Sequence, residues 1–107
     1  MATLNGPRIR HTVAFTLGHD PGSAEEESFL AALRSLGAID GVNELEVVRQ
    51  VGVKNDYQLG VVMDFADRAA YDAYNGHPEH VAFVQDRWSA EVTDFIEIDF
   101  VALSEAG

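Results

Sequence analysis

The chain has 107 residues, enough for one domain with one modest core. Seven Lys and Arg stand against 18 Asp and Glu, and the formal net charge of -11 repels phosphate backbones and anionic headgroups, which argues against nucleic-acid and membrane partners. With no cysteine, disulfides, thiolate metal sites and a cysteine nucleophile are excluded.

Residues 1–8 show no periodicity and read as a flexible N-terminal tail ahead of a domain over 9–103, with a C-terminal tail at 104–107. No apolar run approaches a membrane span and the N-terminus lacks the apolar stretch of a signal peptide, so the expected location is the cytoplasm. From Ile9, apolar residues and His11 alternate with Arg10, Thr12, Ala14 and Thr16, the period of a strand. A turn-rich segment follows, in which His19 reads as exposed. Ser23 and Glu26 have the spacing of a capping box, and Phe29, Leu30, Leu33 and Leu36 then recur at helical spacing. The helix is expected over roughly 24–36, with Gly37 as its C-cap.

Asp40-Gly41 signals a turn, and a second strand is expected near 43–52. Lys54-Asn55-Asp56 reads as a hairpin turn leading into a third strand from Tyr57 to Phe65. Asp67 caps a second helix carrying Ala70, Tyr71 and Tyr74. Pro78 disfavours helical geometry at His77, so the helix breaks there and resumes from Glu79 through Val81, Phe83, Val84 and Trp88. Val92 to Leu103 makes the last strand.

The order β-α-β-β-α-β predicts an α+β, ferredoxin-like domain: a four-stranded antiparallel sheet with both helices on one face. The last strand carries Phe95 and Val101 on one side and Ile96, Ile98 and Phe100 on the other. Helices cover one sheet face only, so two copies packed through the other face would bury the remainder. A homodimer is expected.

Chemistry concentrates at the helix break. His80 is the leading general base, because imidazole titrates near neutral pH. Alternatively it bonds locally at a helix start. Tyr74 can donate to an enolate oxygen or serve as a core tyrosine with its hydroxyl at the rim. His11 sits on the apolar face of the first strand, where a satisfied core histidine is the commoner outcome. Asp99 can orient a histidine or stand solvated. His77, Phe83 and Trp88 are the expected substrate contacts. His77 and His80 with His11 would make a metal set, but Pro78 breaks the phase between the pair, so no metal is expected. No phosphate loop, dinucleotide fingerprint or nucleophile elbow is present.

Three segments carry a resemblance: Arg10-His11-Thr12-Val13-Ala14-Phe15, Tyr74-x-x-His77-Pro78-x-His80-x-x-Phe83 and Ile98-Asp99-Phe100. Together they resemble the stress-responsive A/B barrel (Dabb) family, in order, from about Ile9 to Leu103. The resemblance implies a ferredoxin-like fold that dimerises into an α/β barrel, with a cavity between sheet and helices. It also implies catalytic positions at His80, Tyr74, His11 and Asp99, by likeness to a plant polyketide cyclase of the family that closes a ring by aldol chemistry. No metal or organic cofactor is implied. Two functions follow as expectations. One is a small-molecule enzyme of the cyclase or lyase kind, acting on a largely apolar, polyketide-like substrate. The other is a non-enzymatic stress-response or stabilising protein. A heme- or quinol-handling monooxygenase, as in other dimeric α/β barrels, finds no residue pattern in its favour.

Overall fold

The computed structural model describes residues 6–105. Its elements are β1 (Ile9–Leu17), α1 (Ala24–Ser35), β2 (Asn43–Arg49), β3 (Leu59–Phe65), α2 (Arg68–Gly76), α3 (Pro78–Phe83) and β4 (Val92–Phe100). The expected tails fall largely outside the described residues, although Arg8 reaches Asp64 at 3.9 Å and a short 3-10 turn spans Leu103–Glu105.

The strands lie in the order β2-β3-β1-β4, every neighbour antiparallel. This is the ferredoxin-like arrangement. β1 is central, with His11 opposite Met63 on one side and Asp99 on the other. Ile9, His11, Val13, Phe15 and Leu17 point to the helices, as do Leu59, Val61, Met63 and Phe65 of β3. Phe29, Leu30 and Leu33 of α1, Tyr71 and Tyr74 of α2 and Phe83 of α3 close the core over them. Phe15, Phe29, Phe83 and Trp88 form one tilted aromatic cluster with centroids 5.1–6.5 Å apart. Each such ring taken from water contributes about 1.5–3 kcal/mol.

Local chemistry fixes the helix ends. Ser23 Oγ accepts from the Glu26 amide at 3.1 Å, and Glu26 reaches back to the amide of Gly22 rather than Ser23, at 2.9 Å. Glu26 is itself buried, and Arg49 Nη2 binds it at 2.8 Å. Its carboxyl is held below the usual range, first by that guanidinium and then by the Gly22 amide. Asp67 Oδ1 caps α2 through the Ala70 amide at 2.8 Å.

Three expectations are corrected. Gly37 is not a left-handed C-cap: α1 runs on into a 3-10 turn (Leu36–Ala38), a Cβ on Gly37 would meet Leu45 at 3.5 Å, and the positive φ falls at Gly41 (93°). β2 stops at Arg49 and β3 starts at Leu59, so the three-residue hairpin turn becomes a loop over 50–58. Asn55 Oδ1 accepts from the Tyr57 amide and from Gln50 Nε2 there, and Val51 and Val53 stand 98% and 95% exposed. β4 ends at Phe100 rather than at 103.

The far face of the sheet has no helix over it. Ile96, Ile98 and Phe100, between 44% and 50% exposed, lie there in a row beside Thr12 and Ala14. Among the described residues no helix is long and apolar enough to cross a membrane.

Candidate functional site

Pro78 creates the site by what it lacks. In an unbroken helix the Tyr74 carbonyl would accept from residue 78, but proline has no N–H. The Tyr74 carbonyl takes the His77 amide instead, at 3.1 Å. The Glu79 amide, which would have served the Asn75 carbonyl, turns to His77 Nδ1 at 3.1 Å. The Asn75 carbonyl is thus left for His80 Nδ1, 3.2 Å away. A carbonyl only accepts, so Nδ1 carries the proton and Nε2 keeps its lone pair; the tautomer is assigned from this bond.

The His80 ring packs against Tyr74 with centroids 4.3 Å apart, and Tyr74 in turn lies 6.3 Å from the His11 ring. Burial lowers the His80 pKa below its ordinary value near 6.5, with His11 and His77 adding to the effect and the Asn75 carbonyl and Glu97 opposing it. The imidazole is held neutral near pH 7. Burial also raises the Tyr74 pKa, with Tyr71 and Glu97 behind it, so the phenol keeps its proton and remains a donor.

Both side chains line a cavity of about 530 Å³ between the sheet and the helices. Val13, Val61 and Met63 form its floor, Leu33, Leu36, Phe83 and Trp88 its apolar walls, and His11, Asn75, Ser89 and Glu97 its remaining polar positions. Trp88 arrives through a π-helical turn (Val84–Trp88), whose Val84 carbonyl accepts from Ser89 Oγ at 2.9 Å. The wider turn shifts Trp88 around the helix axis, and such turns recur at functional sites. A largely apolar cavity of this size, with a few converging polar groups, has the character of a small-molecule pocket.

A second cluster stands on the sheet side. His11 is 5% exposed, and its Nδ1 lies 2.6 Å from Asp99 Oδ1. Tyr71 Oη donates to Asp99 Oδ2 at 2.7 Å and approaches Glu97 Oε2 at 3.3 Å and His11 Nδ1 at 3.4 Å. Burial, then the bond to Asp99, raises the Tyr71 pKa and keeps that hydroxyl protonated. His11 Nδ1, Glu97 and Asp99 offer three potential metal-ligand atoms within 4.8 Å of one another.

The structure therefore brings Tyr74, His80, His11, Phe83 and Trp88 to one cavity, with Asp99 behind His11. His77 is the exception. It does not line the cavity but caps α3 through its Nδ1, because a helix starting at Pro78 needs an acceptor for its first free amide. His19 is corrected too: it is half-buried and bonds Glu91 at 2.7 Å. Sequence reasoning missed Tyr71, Glu97 and Asn75. The Glu97-x-Asp99 spacing on one strand was the available signal for the second of these, since alternate residues share a face.

Taken together, these features define a ferredoxin-like α+β domain with a polar-rimmed apolar cavity under its helices. The chain belongs to the stress responsive A/B barrel domain (Dabb) family, whose pattern it matches over residues 9–102. It is similar to a Dabb family protein with a ferredoxin-like fold from Mesorhizobium loti, at 55% identity and TM-score 0.88, over 91% of this chain and 98% of that one. A dimeric ferredoxin-like protein of unknown function from Thermobifida fusca is 25% identical, with TM-score 0.73, over 91% of this chain and 92% of that one. A hydroxynitrile lyase from Passiflora edulis shares the fold at 13% identity and TM-score 0.79, over 90% of this chain and 94% of that one. No curated protein matches the chain.

Proposed function

We propose that this protein binds a small, largely apolar carbonyl compound in the cavity and performs cofactor-independent acid-base chemistry on it, of the cyclase or lyase kind. The carrying observation is the Tyr74–His80 pair: a neutral imidazole and a protonated phenol in ring contact on one cavity wall. His80 Nε2 takes a proton from a carbon flanked by carbonyls, and the C–H electron pair passes into an enolate. Tyr74 donates to the enolate oxygen. The enolate carbon then attacks a second carbonyl of the same folded chain, a C–C bond forms, and the new alkoxide recovers the proton from His80. The Passiflora lyase, by its name, gives a precedent for an enzyme on this scaffold. His11 and Asp99 hold the sheet side of the cavity polar.

The working unit is a homodimer, closed through the uncovered sheet face where Ile96, Ile98 and Phe100 stand half exposed. The T. fusca relative is described as dimeric. The protein acts in the cytoplasm, as its acidic, cysteine-free chain suits.

The test uses benzoylacetone, an apolar 1,3-diketone, and follows deuterium exchange at its central carbon by NMR. The expected result is exchange above the buffer rate, cut roughly 100-fold or more by His80→Ala, the usual scale of a lost general base. Exchange no faster than buffer, with benzoylacetone shown to occupy the cavity, would refute acid-base chemistry and leave the stabilising-protein alternative.

A further inference from the structure

The cluster of His11, Tyr71, Glu97 and Asp99 is short of protons. Tyr71 has one hydroxyl proton and His11 Nδ1 at most one. Asp99 lies closest to both, at 2.7 and 2.6 Å, while Glu97 Oε2 is 3.3 and 3.4 Å from the same two donors. A proton aimed at Asp99 serves Glu97 poorly. Two carboxylates thus converge on a single buried imidazole nitrogen, on a chain that carries a formal net charge of -11. A cation would satisfy all three groups at once.

We propose that His11 Nδ1, Glu97 and Asp99 bind a divalent first-row transition cation of the zinc or manganese kind on the cavity wall. One imidazole and two carboxylates are a borderline donor set that suits these ions and, unlike an all-oxygen set, disfavours magnesium and calcium. The spacing is close to what coordination requires. Ligands about 2.1 Å from a metal lie about 3 Å apart when adjacent and about 4 Å apart when opposed. The His11–Glu97 separation of 3.4 Å falls within that range, and the His11–Asp99 separation of 2.6 Å has to open by a few tenths of an ångström. His11 is fixed by burial in β1, and Tyr71 Oη holds the second oxygen of Asp99, which leaves Oδ1 to ligate. A ligand held from behind in this way is a recurring property of metal sites. Glu97, with 46% of its side chain exposed, can swing in to complete the set.

Three protein ligands leave coordination positions open. His11 and Glu97 both line the cavity, so a cation between them borders the space in which Tyr74 and His80 stand. Those positions would take water or the oxygen of a carbonyl or hydroxyl ligand. The metal site stands independently of the acid-base reading, because cation binding is measured without substrate or turnover.

The experiment is calorimetric titration of the tag-free, EDTA-treated full-length protein with Zn2+ and with Co2+, with Co2+ absorption bands recorded in parallel. The expected result is one ion per chain and visible Co2+ bands. Glu97→Gln and His11→Ala should each lose at least tenfold in affinity, Tyr71→Phe about tenfold, and His19→Ala nothing. Glu97→Gln changes a half-exposed side chain and keeps its shape, so it carries the test if His11→Ala perturbs folding by circular dichroism. Absence of saturable binding by the unmodified chain would overturn the site. So would affinity unchanged in Glu97→Gln, which would place the ion on other surface carboxylates.

Discussion

At the scale of single residues, His80 makes a measurable statement about pH. Its folded-state pKa lies below the unfolded value near 6.5, so the unfolded chain binds the proton more readily. Stability contributed by neutral His80 is therefore fully present above about 6.5 and declines as pH falls from there through the folded pKa. Urea unfolding at pH 7.5 and 5.5 should show the unmodified protein losing more stability on acidification than His80→Gln. Equal losses would mean that burial does not oppose protonation there. Glu26 is lowered as well, by Arg49 and the Gly22 amide, and its contribution is lost only as pH falls below its ordinary value near 4.5, outside this window. Tyr74 and His80 were legible because Pro78 marks a helix break beside them, and His11 because it stands on the apolar face of a strand. Glu97 was not, since between Ile96 and Ile98 it reads as the solvent side of a strand. Only the register, which pairs His11 with Asp99 and Val13 with Glu97, shows that these carboxylates face the helix side.

At the scale of elements, the break between α2 and α3 is the device that presents His80. Pro78→Ala restores an N–H that can bond the Tyr74 carbonyl and lets the helix continue. The expected outcome is a melting temperature unchanged or raised, together with benzoylacetone exchange reduced at least tenfold; full exchange in that variant would show that the break does not position the imidazole. Asp67→Ala should cost about 1 kcal/mol in urea unfolding, the usual cost of a lost N-cap. A change within error would mean that water replaces the Asp67 carboxylate at the Ala70 amide. Element order and type were readable from period alone, because strands and helices here carry clean apolar faces. The β2–β3 connection was over-read as strand. Val51, Val53 and Tyr57 continue the alternation, but the Asn55 and Gln50 side chains bond within the loop. Period cannot register that competition from side-chain bonds.

At the scale of the whole molecule, one covered and one uncovered sheet face make an asymmetric layer, which the proposed homodimer would complete. The protein should sediment as a dimer at micromolar concentration, and Ile98→Glu, which sets a charge in the middle of the uncovered row, should give a folded monomer. A monomer in the unmodified protein would refute the barrel assembly. That one face is apolar was visible in the alternation of β4. A cavity between sheet and helices was expected from the family resemblance alone; its volume was not visible, because it depends on where the π-helical turn sets Trp88 and how far α3 stands from β1. The most direct test of the central claim, a neutral His80 acting as base beside Tyr74, is a 15N NMR titration of the histidine rings with and without benzoylacetone. The account predicts a His80 ring protonated at Nδ1, a pKa below 6.5, and a shift of its Nε2 signal when the diketone is added. A ring protonated at Nε2, or a pKa at or above 6.5, would contradict it.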